Sequence, residues 1–186
     1  MLYLAKRLRA AGFEPVIHGY ATLHGDPDQI LCTLAQRWRE LGPGPVHAVG
    51  HSLGGLTLLA TLQRWPALPP GRVLCLGSPI AGSAIAKRMS ASGWTRWAVG
   101  KAAPRLLQAA AIPANREVAM IAGDRPVGLG QLMARLSRPH DGTVAVAETQ
   151  LVGLTAHRQV HASHTGLVFS AEVATLTQNF LTQGHF

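Results

Sequence analysis

The sequence predicts an α/β fold, a mostly parallel sheet flanked by helices and built as a single domain over residues 1–186. Three observations carry that reading. Short apolar, partly β-branched runs alternate with segments of helical periodicity, the pattern of strands joined by crossover helices. One stretch, from Val46 to Leu62, passes from strand to glycine turn to helix within a few residues. Finally, a chain of 186 residues with 47% hydrophobic residues can bury a sizeable core.

In chain order, Met1 to Ala11 is amphipathic, with Leu4, Leu8 and Ala11 on one face and Lys6, Arg7 and Arg9 interrupting any signal-peptide-like apolar run. Gly12 ends this helix, and Phe13–Tyr20 reads as a strand, with Pro15 tolerable near its start. Asp26-Pro27 opens a second helix, whose buried stripe is expected at Ile30, Leu31, Leu34, Trp38 and Leu41. Val46, Ala48 and Val49 form a buried strand, and Leu56, Leu58, Leu59 and Leu62 follow at helical spacing. Trp65-Pro66 stops that helix, and Arg72–Leu76 is the next strand. Residues from about 80 to 113 break the rhythm, being helical in pattern but cut by Gly93, Gly100 and Pro104, which suggests a cap or lid laid over the sheet. Arg116–Gly123 returns to strand, a last strand is expected around Arg158–His161, and Ser170 caps a closing helix with Val173, Leu176 and Phe180 inward.

The formal charge of +8 comes from seventeen basic residues against nine acidic ones, scattered singly rather than clustered, so no nucleic-acid signature is present. Such a surface would suit transient contact with anionic lipid headgroups, although solubility is the plainer account. No apolar run approaches the roughly twenty residues that span a bilayer. A cytoplasmic location is expected if Met1 is the true start. Cys32 and Cys75 both read as small core residues, and neither suggests a disulfide. No His/Cys/Asp cluster has metal-ligand spacing, and no cofactor is expected.

Between the strand and helix at the centre of the chain, Gly50-His51-Ser52-Leu53-Gly54 fits Gly-x-Ser-x-Gly, a turn that holds a serine in strained backbone geometry. It would present the Ser52 hydroxyl at the carboxyl end of the strand as a nucleophile. The helix beginning there contributes its positive N-terminal dipole, and the Leu53 amide is a natural donor to a developing oxyanion. With Gly55 following, the stretch resembles the α/β-hydrolase superfamily, and within it the bacterial triacylglycerol lipases and esterases. Gly77-Ser78-Pro79-Ile80-Ala81-Gly82-Ser83 is similar to the Gly-Thr-Pro-x-x-Gly-Ser of those lipases, departing at Ser78.

A serine hydroxyl needs a general base, and the base needs a carboxylate to orient it. The resemblance implies the order serine, acid, histidine. After Ser52 the acids are Glu117, Asp124, Asp141, Glu148 and Glu172, and Asp141-Gly142-Thr143-Val144 is similar to the Asp-Gly-Leu-Val that carries the acid in bacterial lipases. Asp124 is the alternative. His164, in Ser163-His164-Thr165-Gly166 between the last strand and last helix, is the favoured base, with His161 second. His51 is expected as a neighbour of the elbow on the substrate side, and Met89, Trp94 and Trp97 of the cap as acyl-contacting residues.

The resemblance therefore implies a serine hydrolase that cleaves carboxylic esters of lipophilic acyl groups through an acyl-enzyme on Ser52. The rival is a truncated hydrolase fold kept for binding or assembly. Relatives open with an earlier strand and a His-Gly loop that supplies one oxyanion amide, whereas this chain begins within the helix that follows. An N-terminally truncated form is thus expected, in which Phe13–Tyr20 either pairs with Val46–Val49 or leaves a gap. His24-Gly25 follows the wrong strand to replace the loop.

Overall fold

A computed structural model describes residues 1–19, 25–91, 107–127 and 136–186, with side chains placed for all of these except 88–91. Helix α1 (Leu2–Ala10) is followed by α2 (Pro27–Glu40), β1 (Ala48–His51), α3 (Leu53–Arg64), β2 (Val73–Leu76), α4 (Ala84–Ala91), β3 (Val118–Gly123), β4 (Ala156–Val160) and α5 (Ala171–Gln183). The four strands pair in the order β1-β2-β3-β4, and every pairing is parallel. Each strand therefore ends at the same edge of the sheet, and the loops that follow the strands collect there. That is the edge at which open α/β sheets bind ligands.

Both faces are covered, which explains why the central strands β2 and β3 are continuously apolar rather than alternating. Val73, Cys75, Val118 and Met120 face α2 and α3, packing with Trp38, Leu56, Leu59 and Leu62. Their neighbours in sequence, Leu74, Leu76, Ala119 and Ile121, face α1 and α5 and pack with Leu4, Leu8, Val173 and Phe180. Residues one apart in a strand point to opposite faces, so one run of apolar residues serves two cores. Local signals set the helix ends. Asp26 caps α2 by accepting from the Asp28 amide at 2.9 Å, Ser170 caps α5 through the Val173 amide, and Gly12 at φ +89 takes the left-handed turn after α1.

Four expectations are corrected. Residues 13–19 form no strand. Pro15 has no amide to give a ladder, and no described strand lies alongside to pair with the segment; Phe13 instead packs into the core beside α1 and edge-on against His47, 6.2 Å between ring centroids. Val16 and Ile17 are consequently half exposed, and a cleft of about 830 Å³ separates the segment from β1. Cys32 is exposed rather than buried, because the inner face of α2 is set by Leu31, Leu34, Ala35 and Trp38 and position 32 falls off that stripe. Leu41, past the end of α2, is exposed as well, and Ile30 is only partly covered. His161 follows β4 rather than belonging to it. Of the span 80–113 in which a cap is expected, α4 is described and residues 92–106 lie outside the described residues. Among the described residues no helix is long and apolar enough to cross a membrane.

Candidate active site

Ser52 joins β1 to α3 at φ +55 and ψ −123, the one non-glycine residue with positive φ among those described. Backbone of this kind costs on the order of 1–3 kcal/mol and persists only where its surroundings impose it. The surroundings here are main-chain atoms in close contact. A Cβ on Gly50 would stand 2.5 Å from the Gly55 nitrogen, and one on Gly55 would meet the Ser78 hydroxyl. The Ser52 amide donates to Leu76 O at 2.9 Å, which ties the turn to the end of β2. Leu53 is the first residue of α3, so its amide has no acceptor within the helix.

The loop after β3 returns to the sheet edge at Asp141, which is 1% exposed. Asp141 Oδ1 accepts the amides of Thr143 at 2.9 Å and Val144 at 2.7 Å, a local turn that its own sequence provides. Oδ2 faces His164 Nδ1 at 2.7 Å, and the His164 amide donates to Asp141 O at 2.9 Å. The structure thus brings together the acid and base candidates that the sequence singles out. Asp124 and His161, the alternatives, pair with each other at 2.9 Å; the His161 side chain is 78% exposed, and Gln159 also donates to Asp124. Those hydrogen bonds from Gln159 and His161 hold the Asp124 carboxyl below its ordinary value.

His51 connects the two halves of the site. Its Nε2 lies 2.9 Å from the His164 carbonyl oxygen, and the two imidazole rings are 4.7 Å apart. Burial, and then the neighbouring His164, push the His51 pKa down to about 4. Met89 falls on α4, whereas Trp94, Trp97 and His24 lie outside the described residues.

Two residues that shape the site were not picked out from sequence. A Cβ on Gly77 would crowd Asp141 Oδ2 and His164 Nδ1 at 3.1 and 3.3 Å, and one on Gly123 would meet Ala162 O and Asp141 Cβ. Each glycine follows or ends a strand, and only the assembled sheet shows what lies above it. Glu148, one of the acids that follow Ser52, has a buried carboxylate that accepts from the amides of Ala84 and Ala145 and so ties the start of α4 to the loop carrying Asp141. Among the described residues no group of His, Cys, Asp or Glu could hold a metal ion.

The cleft beside β1 reaches this site. It is lined by Leu4, Leu8, Phe13, Trp38, Ser52 and Leu53 among others, a mostly apolar wall that ends at the elbow.

A parallel sheet covered on both faces, with a strained serine between strand and helix and an acid–histidine pair on later loops, defines a fold of the α/β-hydrolase type. Comparison with solved structures agrees. The chain superposes on the mature form of a lipase from Bacillus licheniformis, BlEst2, with a TM-score of 0.79 at 18% identity, covering 98% of this chain and 84% of that one. It is also similar to a metagenomic carboxyl esterase, MGS0156, with a TM-score of 0.67 at 18% identity over 81% of this chain and 54% of that one. A methylesterase from Arabidopsis, MES16, gives 0.58 at 14% identity over 98% and 91%. At these identities the likeness is one of fold. No protein-family model and no curated protein matches the sequence.

Proposed function

We propose that the chain is a serine hydrolase of carboxylic esters with lipophilic acyl groups, in which Ser52 is the nucleophile, His164 the general base and Asp141 its orienting acid. The observation that carries the reading is Ser52 held at φ +55 in an elbow whose His51 contacts His164, the histidine whose Nδ1 meets a buried carboxylate at 2.7 Å. With Nδ1–H donated to Asp141, His164 Nε2 is left free to accept the Ser52 proton. Ser52 Oγ then bonds to the ester carbonyl carbon, and the oxyanion so formed is met by the Leu53 amide at the positive end of α3. Collapse of this intermediate breaks the ester bond, and His164 gives its proton to the departing alcohol. Water, deprotonated by His164, attacks the acyl-enzyme, and the carboxylic acid leaves as Ser52 regains its proton. The apolar cleft that ends at Ser52 supports a lipophilic acyl group, as do the names of the lipase and esterase structures it resembles.

A serine-directed fluorophosphonate should label Ser52, and Ser52→Ala should abolish both labelling and hydrolysis of a p-nitrophenyl ester. Labelling that survives in Ser52→Ala removes the nucleophile assignment. A folded wild-type chain that neither labels nor turns over would favour a binding role for the fold.

A further inference from the structure

Resting on that reading of Ser52 and His164, His51 is the residue whose side chain links the elbow to the loop of the base. His51 precedes Ser52 directly and reaches across the sheet edge to the main chain of His164, 113 positions away in sequence. A carbonyl oxygen can only accept, so the 2.9 Å contact requires a hydrogen on His51 Nε2. His51 is therefore the Nε2–H tautomer. Burial keeps it neutral down to about pH 4, so it grips the His164 carbonyl without placing a second positive charge beside the base.

The backbone of His164 is held from two sides. Its amide donates to Asp141 O at 2.9 Å, and its carbonyl accepts from His51. The first contact places the base loop against the acid loop, and the second places it against the elbow. Ser52 cannot shift relative to β1 without carrying His51 with it, because the two are joined by a peptide bond and the Ser52 amide is fixed to Leu76 O.

We propose that His51 is a positioning residue, which sets the distance between nucleophile and base by gripping the His164 carbonyl, rather than a substrate-contacting one. Misplacing a base by about 1 Å costs on the order of a hundredfold in rate.

The test compares His51→Phe, which keeps a planar ring but no donor, with His51→Gln, whose amide can donate at similar reach. His51→Phe should lower kcat for p-nitrophenyl butyrate by about 10- to 100-fold with KM within about twofold of wild type. His51→Gln should recover most of that loss. A raised KM at unchanged kcat would overturn the proposal in favour of substrate contact, and equal losses in both variants would reduce His51 to packing. The His164 Nδ1–H proton resonance is read in parallel. It should persist in wild type and His51→Gln, and should broaden or vanish in His51→Phe; a sharp resonance in all three overturns the proposal. That signal needs no turnover, so failure of Ser52 to label would sink the hydrolase reading and still leave His51 decided.

Discussion

The two sides of Ser52 are built on different principles. Towards β4, the loops carrying Asp141 and His164 are tied down by a dense set of hydrogen bonds, among them the Asp141 carboxylate to two amides and to His164. Towards the opposite edge, β1 has no strand beside it among the described residues. Ala48 and Ser52 donate their amides to β2 and its continuation, so by the alternation of a parallel ladder Val49 and His51 present theirs to the cleft. The cleft wall also buries the Trp38 indole N–H, which has no hydrogen-bond partner among the described residues. One side is specified by short-range turns and a buried acid–histidine hydrogen bond. The other rests on a few apolar anchors, Phe13 chief among them.

The largest effect should come from the tied side. Asp141→Asn keeps the shape of the side chain and the acceptor for the Thr143 and Val144 amides, but turns an amide group towards His164 and favours the wrong tautomer. Ester hydrolysis should fall by about 10³- to 10⁴-fold with little loss of thermal stability. A similar collapse from Asp124→Asn, with Asp141→Asn nearly silent, would reverse the contrast between the two His–Asp pairs.

The next effect is on stability and sharpens the role of His51 as the link between the sides. Its folded pKa of about 4 lies below the ordinary 6.5, so between these values the unfolded chain takes up a proton that the folded chain does not. The stability it permits is complete above about pH 6.5 and is lost as pH falls towards 4. The loss is on the order of 2 kcal/mol once partial exposure of the ring is discounted. Half-buried His47 and His157, both held below their ordinary values mainly by desolvation, act in the same direction. The melting temperature should therefore drop by several degrees between pH 7 and 4.5, and His51→Gln should flatten that drop. An unchanged slope in the variant would show that His51 is not buried neutral.

The smallest effect belongs to the open side. Ile17 is 51% exposed, so Ile17→Ser should change stability by no more than about 0.5 kcal/mol. A loss above about 1.5 kcal/mol would mean that residues 13–19 are packed far more firmly than the contrast allows.

Much of this architecture is legible without coordinates, for a definite reason. The elbow, the caps at Asp26 and Ser170, and the turn around Asp141 are decided by residues within about four positions of each other, and their chemistry can be read from the letters. The β2 and β3 sequences are apolar throughout because both faces are covered, so their burial was readable too. Residues 13–19 read as a strand but form none, because β-propensity reports a liking for a pleated, half-buried surface, and only a neighbouring strand can supply one.

By itself, then, the sequence determined the strand–helix alternation and the strained serine, since each rests on local geometry, while the candidate acid and base came from the residue types the chemistry needs together with the order and motifs that the family resemblance implies. Tertiary structure decided what pairs with what. It joined Asp141 to His164 rather than to His161, set Gly77 and Gly123 beneath them, left Cys32 outside the core and turned His51 towards the His164 carbonyl. Those outcomes depend on which strand ends meet at one edge of the sheet, a relation between residues up to 113 positions apart that no local pattern encodes.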